Sequence, residues 1–280
     1  MVTTKSLKTP LRYPGGKSRA TVKLFQYIPD LKDFKEYREP FLGGGSVALE
    51  VVKRYPHLEV WVNDLYEPLY NFWCELQHNG QDLQDAIWSK KNMHPDPVTA
   101  KELFTESKEK INDQETSSFD RAVNFYIVNK CSFSGLTESS SFSSQASESN
   151  FSFRGIDRLS EYSELIQNWT ITNLSYERML CDDKNIFTYL DPPYDIKIPI
   201  YGKRGAMHKH FDHDQFASDC DAFTSPMLIS YNSSQVVRDR FQDWNAAEFA
   251  HTYSMRTVGD YMREQQDRKE LVLLNYENRS

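Results

Sequence analysis

Residues 185–194 read Asn-Ile-Phe-Thr-Tyr-Leu-Asp-Pro-Pro-Tyr. Ile186 to Leu190 is a β-branched and aromatic run of the kind buried in a sheet. Pro192 and Pro193 end it abruptly, because neither donates a backbone hydrogen bond and each fixes its own φ. Asp191 and Tyr194 are thereby held on a stiff backbone at the carboxyl end of a strand, which is where open α/β sheets bind ligands. The arrangement suits one task. Asp191 and the Pro192 carbonyl can accept hydrogen bonds from a planar exocyclic amine while Tyr194 stacks on the ring that carries it. Alone, the same residues also make a strand-ending turn with a capping acid.

Two further segments change the weighing. The first is Arg38-Glu39-Pro40-Phe41-Leu42-Gly43-Gly44-Gly45-Ser46. Three consecutive glycines let the backbone take positive φ and approach a ligand closely. Ser46 to Lys53 reads as a helix whose first amides face that loop. Val60-Trp61-Val62-Asn63-Asp64 follows, a short apolar strand ending in an acid. A glycine loop between strand and helix, with an acid closing the next strand, is the layout that holds an adenosine by its ribose hydroxyls. A full G-x-G-x-x-G and a Walker lysine are both missing, which disfavours a dinucleotide or triphosphate. The second segment is Arg12-Tyr13-Pro14-Gly15-Gly16-Lys17. Its glycine pair and lysine could cradle an anion, and Tyr13 could cover an adenine-like ring. Read alone, it is also an ordinary N-terminal turn with a solvated lysine.

Taken in order, Pro14 to Lys17, Glu39 to Ser46, Asn63-Asp64 and Asp191 to Tyr194 resemble the Dam-type family of DNA adenine-N6 methyltransferases. The resemblance spans about residues 7–232, with a divergent middle. It implies an α/β, Rossmann-like methyltransferase sheet with helices on both faces and S-adenosylmethionine as cofactor. It also implies roles. Tyr13, Lys17, Phe41, Gly43, Gly45 and Ser46 belong to the cofactor site, Asp64 holds the ribose, and Asp191 lies near both cofactor and target base. Asp191, Pro192 and Tyr194 form the catalytic turn. Asn173 to Tyr176 lies where the family contacts the cofactor adenine through its backbone. Cytosine-N4 or RNA adenine transfer would use the same turn, and an inactive DNA-binding regulator would keep the fold.

Composition agrees with an enzyme of this kind. Of 280 residues, 39% are hydrophobic, enough for a large core. Cys74, Cys131, Cys181 and Cys220 are scattered without a C-x-x-C pair, which argues against a zinc site or a disulfide framework. No metal is expected. The chain has no apolar run of membrane length, and Met-Val-Thr-Thr-Lys-Ser is not of signal-peptide type. The expectation is a cytoplasmic protein, bacterial or phage-encoded, with no membrane partner. A cognate restriction endonuclease stays open as a further partner. The net charge of −7 counts against binding to a polyanion, but local distribution matters more than the sum. Arg12, Lys17, Arg19 and Lys23 form one basic cluster, and Lys197 to His210, with Lys203 and Arg204, forms another. Either reads as a solvated face or as a grip on double-stranded DNA beside the catalytic turn.

The chain divides by pattern. Residues 1–75 and 166–280 carry the cofactor motifs and a series of strands, at Trp169–Asn173, Ile186–Leu190, Met227–Tyr231, Glu248–Tyr253 and Leu271–Tyr276, the last pair forming a hairpin. Residues 76–165 read as an inserted, mainly helical target-recognition domain, with helices over 82–91, 98–111 and 119–130. The serine-rich residues 137–150 read as a flexible loop. Asn129, Ser132, Phe133, Ser134, Arg154 and Arg158 are its candidate contacts to bases or phosphates.

Overall fold

The run after Asn185 forms strand β4 (Ile186–Leu190), buried at every position. It is the middle strand of a sheet in the computed structural model, which describes residues 8–13, 15–135, 140–195, 211–250 and 269–277. The other strands are β1 (Glu36–Glu39), β2 (Glu59–Asn63), β3 (Trp169–Thr172), β5 (Met227–Asn232), β6 (Asn245–Ala250) and β7 (Lys269–Leu274). Among the described residues the sheet has seven strands in the order β3-β2-β1-β4-β5-β7-β6. β1 to β5 pair in parallel, while β7 is antiparallel to both β5 and β6. The chain builds outward from β1 on one side and from β4 on the other. A crevice therefore opens beyond the carboxyl ends of β1 and β4, at the switch point.

Side chains sort to the two faces with a period of two. Phe187, Tyr189, Leu228, Val272 and Leu274 join a core with helix α2 (Ser46–Arg54) and a helical block, preceded by the short α1 (Thr21–Leu24). Leu190, Ile229, Tyr231, Leu271 and Leu273 pack on the opposite face. The helical block comprises α3 (Glu67–His78), α4 (Gly80–Met93), α5 (Pro97–Lys110), α6 (Ser118–Cys131), α7 (Ser144–Ser149), α8 (Phe153–Ile156) and α9 (Leu159–Leu165). On the other face lie α10 (His213–Asp221) and α11 (Gln235–Arg240).

Three expectations shift. β6 starts three residues before the expected Glu248 and β7 two before the expected Leu271. Their pairing is antiparallel as expected, and the connection between them lies outside the described residues. The expected boundary near residue 76 falls inside α3. That helix packs on α6 through Phe72 against Phe125 and Tyr126, with ring centroids 5.7 and 6.0 Å apart. The serine-rich stretch is not loop throughout. Ser143 caps α7 by accepting from the Ala146 amide, Ala146 and Ser147 are buried, and Phe142 packs on Phe104 at 5.7 Å. Burial of a few small side chains decides the helix, which composition alone does not weigh.

Candidate active site

A cleft opens at the switch point. Its floor comes from the loop after β1. Gly43 and Gly45 take φ of 50° and 68° there, a region L side chains rarely adopt. A Cβ on Gly45 would lie 2.8 Å from the Trp73 indole, and one on Gly43 3.1 Å from the Tyr13 ring. The glycines thus admit this protein's own aromatics, with the Trp73 indole nitrogen donating to the Gly43 carbonyl at 3.1 Å. Ser46 opens α2 beside them and is buried. Phe41 lines the same cleft, its ring 5.6 Å from Tyr176.

Asp64, just past β2, holds the loop in place. Its two carboxylate oxygens accept from the Gly43 amide at 2.8 Å and the Tyr66 amide at 3.0 Å. Burial pushes this carboxyl up to about 6 even though both amides favour its charged form. Asn63 stitches the neighbouring strand ends, donating to the Pro40 and Leu174 carbonyls. Asn173 donates to the Asp64 carbonyl at 2.7 Å. The segment Asn173–Tyr176 therefore lies beside the loop, tied to β2.

The opposite wall is the turn after β4. Both Asp191 oxygens accept from the Lys17 ammonium, at 2.7 and 2.8 Å. Ser230 donates to Asp191 at 3.1 Å, and Ser230 and Tyr189 share a hydrogen bond of 2.7 Å. Burial pushes the Asp191 carboxyl up to about 6, against the pull of Lys17, and nearby Glu270 adds to the rise. Glu39, at the end of β1, is pushed up to about 8 by burial despite accepting from the Tyr37 hydroxyl at 2.6 Å. The cleft thus holds one acid that is neutral at physiological pH and two that ionise near it.

Several expected residues stand elsewhere than anticipated. Lys17 lines the cleft but is buried, and its ammonium is engaged by Asp191, by the Tyr194 hydroxyl at 2.8 Å and by the Gly15 carbonyl at 3.2 Å. It is a counter-charge to Asp191 rather than an open anion cradle, and it drops out of the basic surface cluster. Tyr194 is 8% exposed, its ring is stacked on Tyr231 at 6.2 Å, and its hydroxyl donates to Glu270 at 2.7 Å. In this placement the ring packs between Tyr231 and the Lys17 ammonium, which lies 5.0 Å from its centroid. Pro192 is buried behind it, and Pro193 lines the cleft.

The expected DNA contacts divide in the same way. Asn129 and Ser132 are fully buried and cannot touch a duplex as placed. The Asn129 side chain pairs with the backbone of Arg12, accepting from its amide at 2.9 Å and donating to its carbonyl at 2.6 Å. The Arg12 guanidinium donates to the Ser132 carbonyl at 2.8 Å. These residues clasp the N-terminal segment to the end of α6. Arg154 is exposed on α8, and Phe133 is 49% exposed beyond α6. Lys203 and Arg204 lie outside the described residues, as does Pro14.

Sequence reasoning passed over Glu39, Tyr189, Ser230 and Glu270. Tyr189 carries a signal, because it stands two residues before Asp191 on the same face of β4. Glu270 carries none, since its partners are some 80 and 250 positions away.

A mixed sheet of this order, parallel from β3 to β5 with β7 antiparallel at its edge, and with a glycine loop and two acids facing one cleft beyond its carboxyl edge, defines a Rossmann-like methyltransferase. Residues 13–255 match the D12 class N6 adenine-specific DNA methyltransferase family, and the chain belongs to it. It is 25% identical over 204 residues to the Type II methyltransferase M.MjaIII of Methanocaldococcus jannaschii, covering 67% of this chain and 69% of that one. It is 21% identical over 277 residues to the Type II methyltransferase M.CviBI of Paramecium bursaria Chlorella virus NC1A, covering 96% of this chain and all of that one. Among the described residues no helix is long and apolar enough to cross a membrane, and no cluster of three or more His, Cys, Asp or Glu could hold a metal.

Proposed function

We propose that this DNA adenine-N6 methyltransferase is site-specific, uses S-adenosylmethionine, and acts on an adenine turned out of the duplex. The amine is unreachable inside the base stack, so the base must leave it. The observation that carries the reading is that Asp191 lines the same cleft as Asp64 and the glycine loop. The lining suits the cofactor. Each Asp64 oxygen accepts one amide and keeps capacity for a ribose hydroxyl. The ionising acids Asp64 and Asp191 favour a cation. When bound, S-adenosylmethionine supplies an electrophilic methyl on its sulfonium. Asp191 and the Pro192 carbonyl accept the two amine hydrogens, which draws the nitrogen lone pair out of conjugation and aims it. Asp191 is also placed to receive the proton the nitrogen sheds as the new bond forms. Orientation and fixed dipoles supply much of the rate.

The helical block, about residues 76–165, serves as the target-recognition part, with Arg154 on its surface, and Lys203 and Arg204, which follow the catalytic turn in sequence, grip phosphates. The Type II designation of both relatives supports the same assignment for this chain, with a cognate restriction endonuclease as the partner it implies and the cytoplasm as its place of action. Incubation with S-adenosylmethionine and a duplex oligonucleotide library, followed by modified-base analysis, tests the reading. N6-methyladenine in one sequence context is expected. N4-methylcytosine, product in RNA alone, or no product would overturn it.

A further inference from the structure

The polar groups at the carboxyl edge of the sheet form a row across three neighbouring strands. Asp191 follows β4, Ser230 lies on β5 and Glu270 on β7, all on one face by strand parity. Lys17 roofs this row. Its ammonium has three protons. Four acceptor oxygens lie within 3.2 Å of it, from Asp191, Tyr194 and Gly15, and Glu270 Oε1 lies 3.4 Å away. The ammonium is oversubscribed and already leans on two carboxylates.

We propose that Glu270 is a positioning residue for methyl transfer: it takes up Lys17 when Asp191 turns from the ammonium to the substrate amine. This rests on the reading of Asp191 as the amine acceptor. Asp191 Oδ1 already accepts from both Lys17 and Ser230 and Oδ2 accepts from Lys17, so one acceptor site of four is open, and turning Oδ2 to the amine draws it away from the ammonium. A buried cation that loses its partner without a replacement is strongly unfavourable. Glu270 supplies the replacement, its Oε1 already 3.4 Å from the ammonium. The Tyr194 hydroxyl, which accepts from Lys17 and donates to Glu270, bridges both positions of the ammonium. Glu270 is fully buried, within the same polar cluster as Lys17 and Tyr194.

The test compares single-turnover methyl transfer by the full-length wild type, Glu270→Gln, Lys17→Gln and the double variant. Glu270→Gln keeps the size of the side chain and removes the charge. The expected result is a rate lowered roughly 100-fold, the scale of a small misplacement at a reacting centre, with cofactor and DNA affinity unchanged. The acid limb of the rate–pH profile should also move to lower pH, because a negative neighbour of Asp191 is gone. The other charged or titratable groups facing Asp191 are Lys17, Glu39, Tyr37 and Tyr189, and all are unaltered in this variant. In the double variant the two rate losses should not add, since Glu270 positions Asp191 through Lys17. An unaltered rate, fully additive losses, or a Glu270→Gln protein with lowered affinity and thermal midpoint but an unmoved pH profile would each overturn the proposal. An active Asp191→Asn enzyme would instead overturn the underlying reading, whereas an inactive Asp191→Asn beside a normal Glu270→Gln would sink this inference alone.

Discussion

Asp64 and Asp191 close the carboxyl ends of β2 and β4, the strands on either side of β1. Both line one cleft, and burial pushes both carboxyls up to about 6. They differ in what holds them. Asp64 is gripped by two backbone amides, Gly43 and Tyr66, which cannot leave without unfolding the loop. Asp191 is gripped by side chains, Lys17 and Ser230, which can rotate away. Two aspartates pushed up alike by burial are thus held by backbone on one wall and by side chains on the other. A fixture suits a group that must hold one ligand in one pose, and an exchangeable acceptor suits a group that meets its substrate afresh at each turnover.

The strongest way to break this comparison is at Asp191. Asp191→Asn should lower single-turnover methyl transfer by about 10²–10³-fold, the range for loss of one preorganised electrostatic group. DNA and cofactor should still bind, because the turn is held by its prolines. In the wild type, turnover should rise with pH through about 6, as the carboxyl ionises and becomes an acceptor. A rate independent of pH between 5 and 7 would remove Asp191 from the chemistry.

A smaller effect is expected at Asp64, where the comparison can be sharpened. Asp64→Ala should weaken S-adenosylmethionine binding by about 1.5–3 kcal/mol, the range for hydrogen bonds to a charged group. It should also loosen the glycine loop, visible as faster hydrogen exchange at Gly43. Asp64→Asn keeps one acceptor oxygen and should lose less of both. If calorimetry shows equal affinity for all three proteins, Asp64 serves the loop and not the ligand.

The smallest effect lies at a second lysine, which inverts the case of Lys17. Lys17 is buried, but Asp191 and Glu270 outweigh that burial and hold its ammonium above the ordinary value. Lys130, on α6, is also buried. Its contact among the described residues is the Tyr126 ring, with its ammonium 5.2 Å from the centroid, and burial, reinforced by nearby Arg12, pushes it down to about 7. Lys130→Met should therefore raise the thermal midpoint, by about 1 kcal/mol in stability. The unfolded chain holds this proton up to about 10.5 and the folded one only to about 7, so folding expels it between those values. The gain should be greatest below pH 7 and shrink toward pH 10. A gain that grows with pH would show that Lys130 finds a partner in solution.

The reach of the sequence follows from the range of each interaction. β4 was legible because a strand buried on both faces must be apolar throughout. α2 was legible because a glycine loop and an amphipathic run adjoin in the chain. β1 carries no comparable signal: Glu36 and Arg38 pair on one face at 2.6 Å, and the other face buries Glu39 against Tyr37. A charged strand of four residues looks like a loop until its partners are present. Asn129 and Ser132 looked like groups that could reach a duplex, and burial instead turned them on Arg12, some 120 residues away.

Local pattern by itself therefore determined the α/β class, the glycine loop, the two acids that end β2 and β4, and the proline-stiffened turn, since each is written in residues that touch their chain neighbours. The tertiary structure alone decided what those acids hold. Lys17, Asp191, Ser230 and Glu270 come from four separate parts of the chain and meet only when β4, β5 and β7 lie side by side. Whether a buried carboxylate is fixed or free to exchange depends on the partner that burial brings to it, and no local pattern encodes a partner 250 residues away.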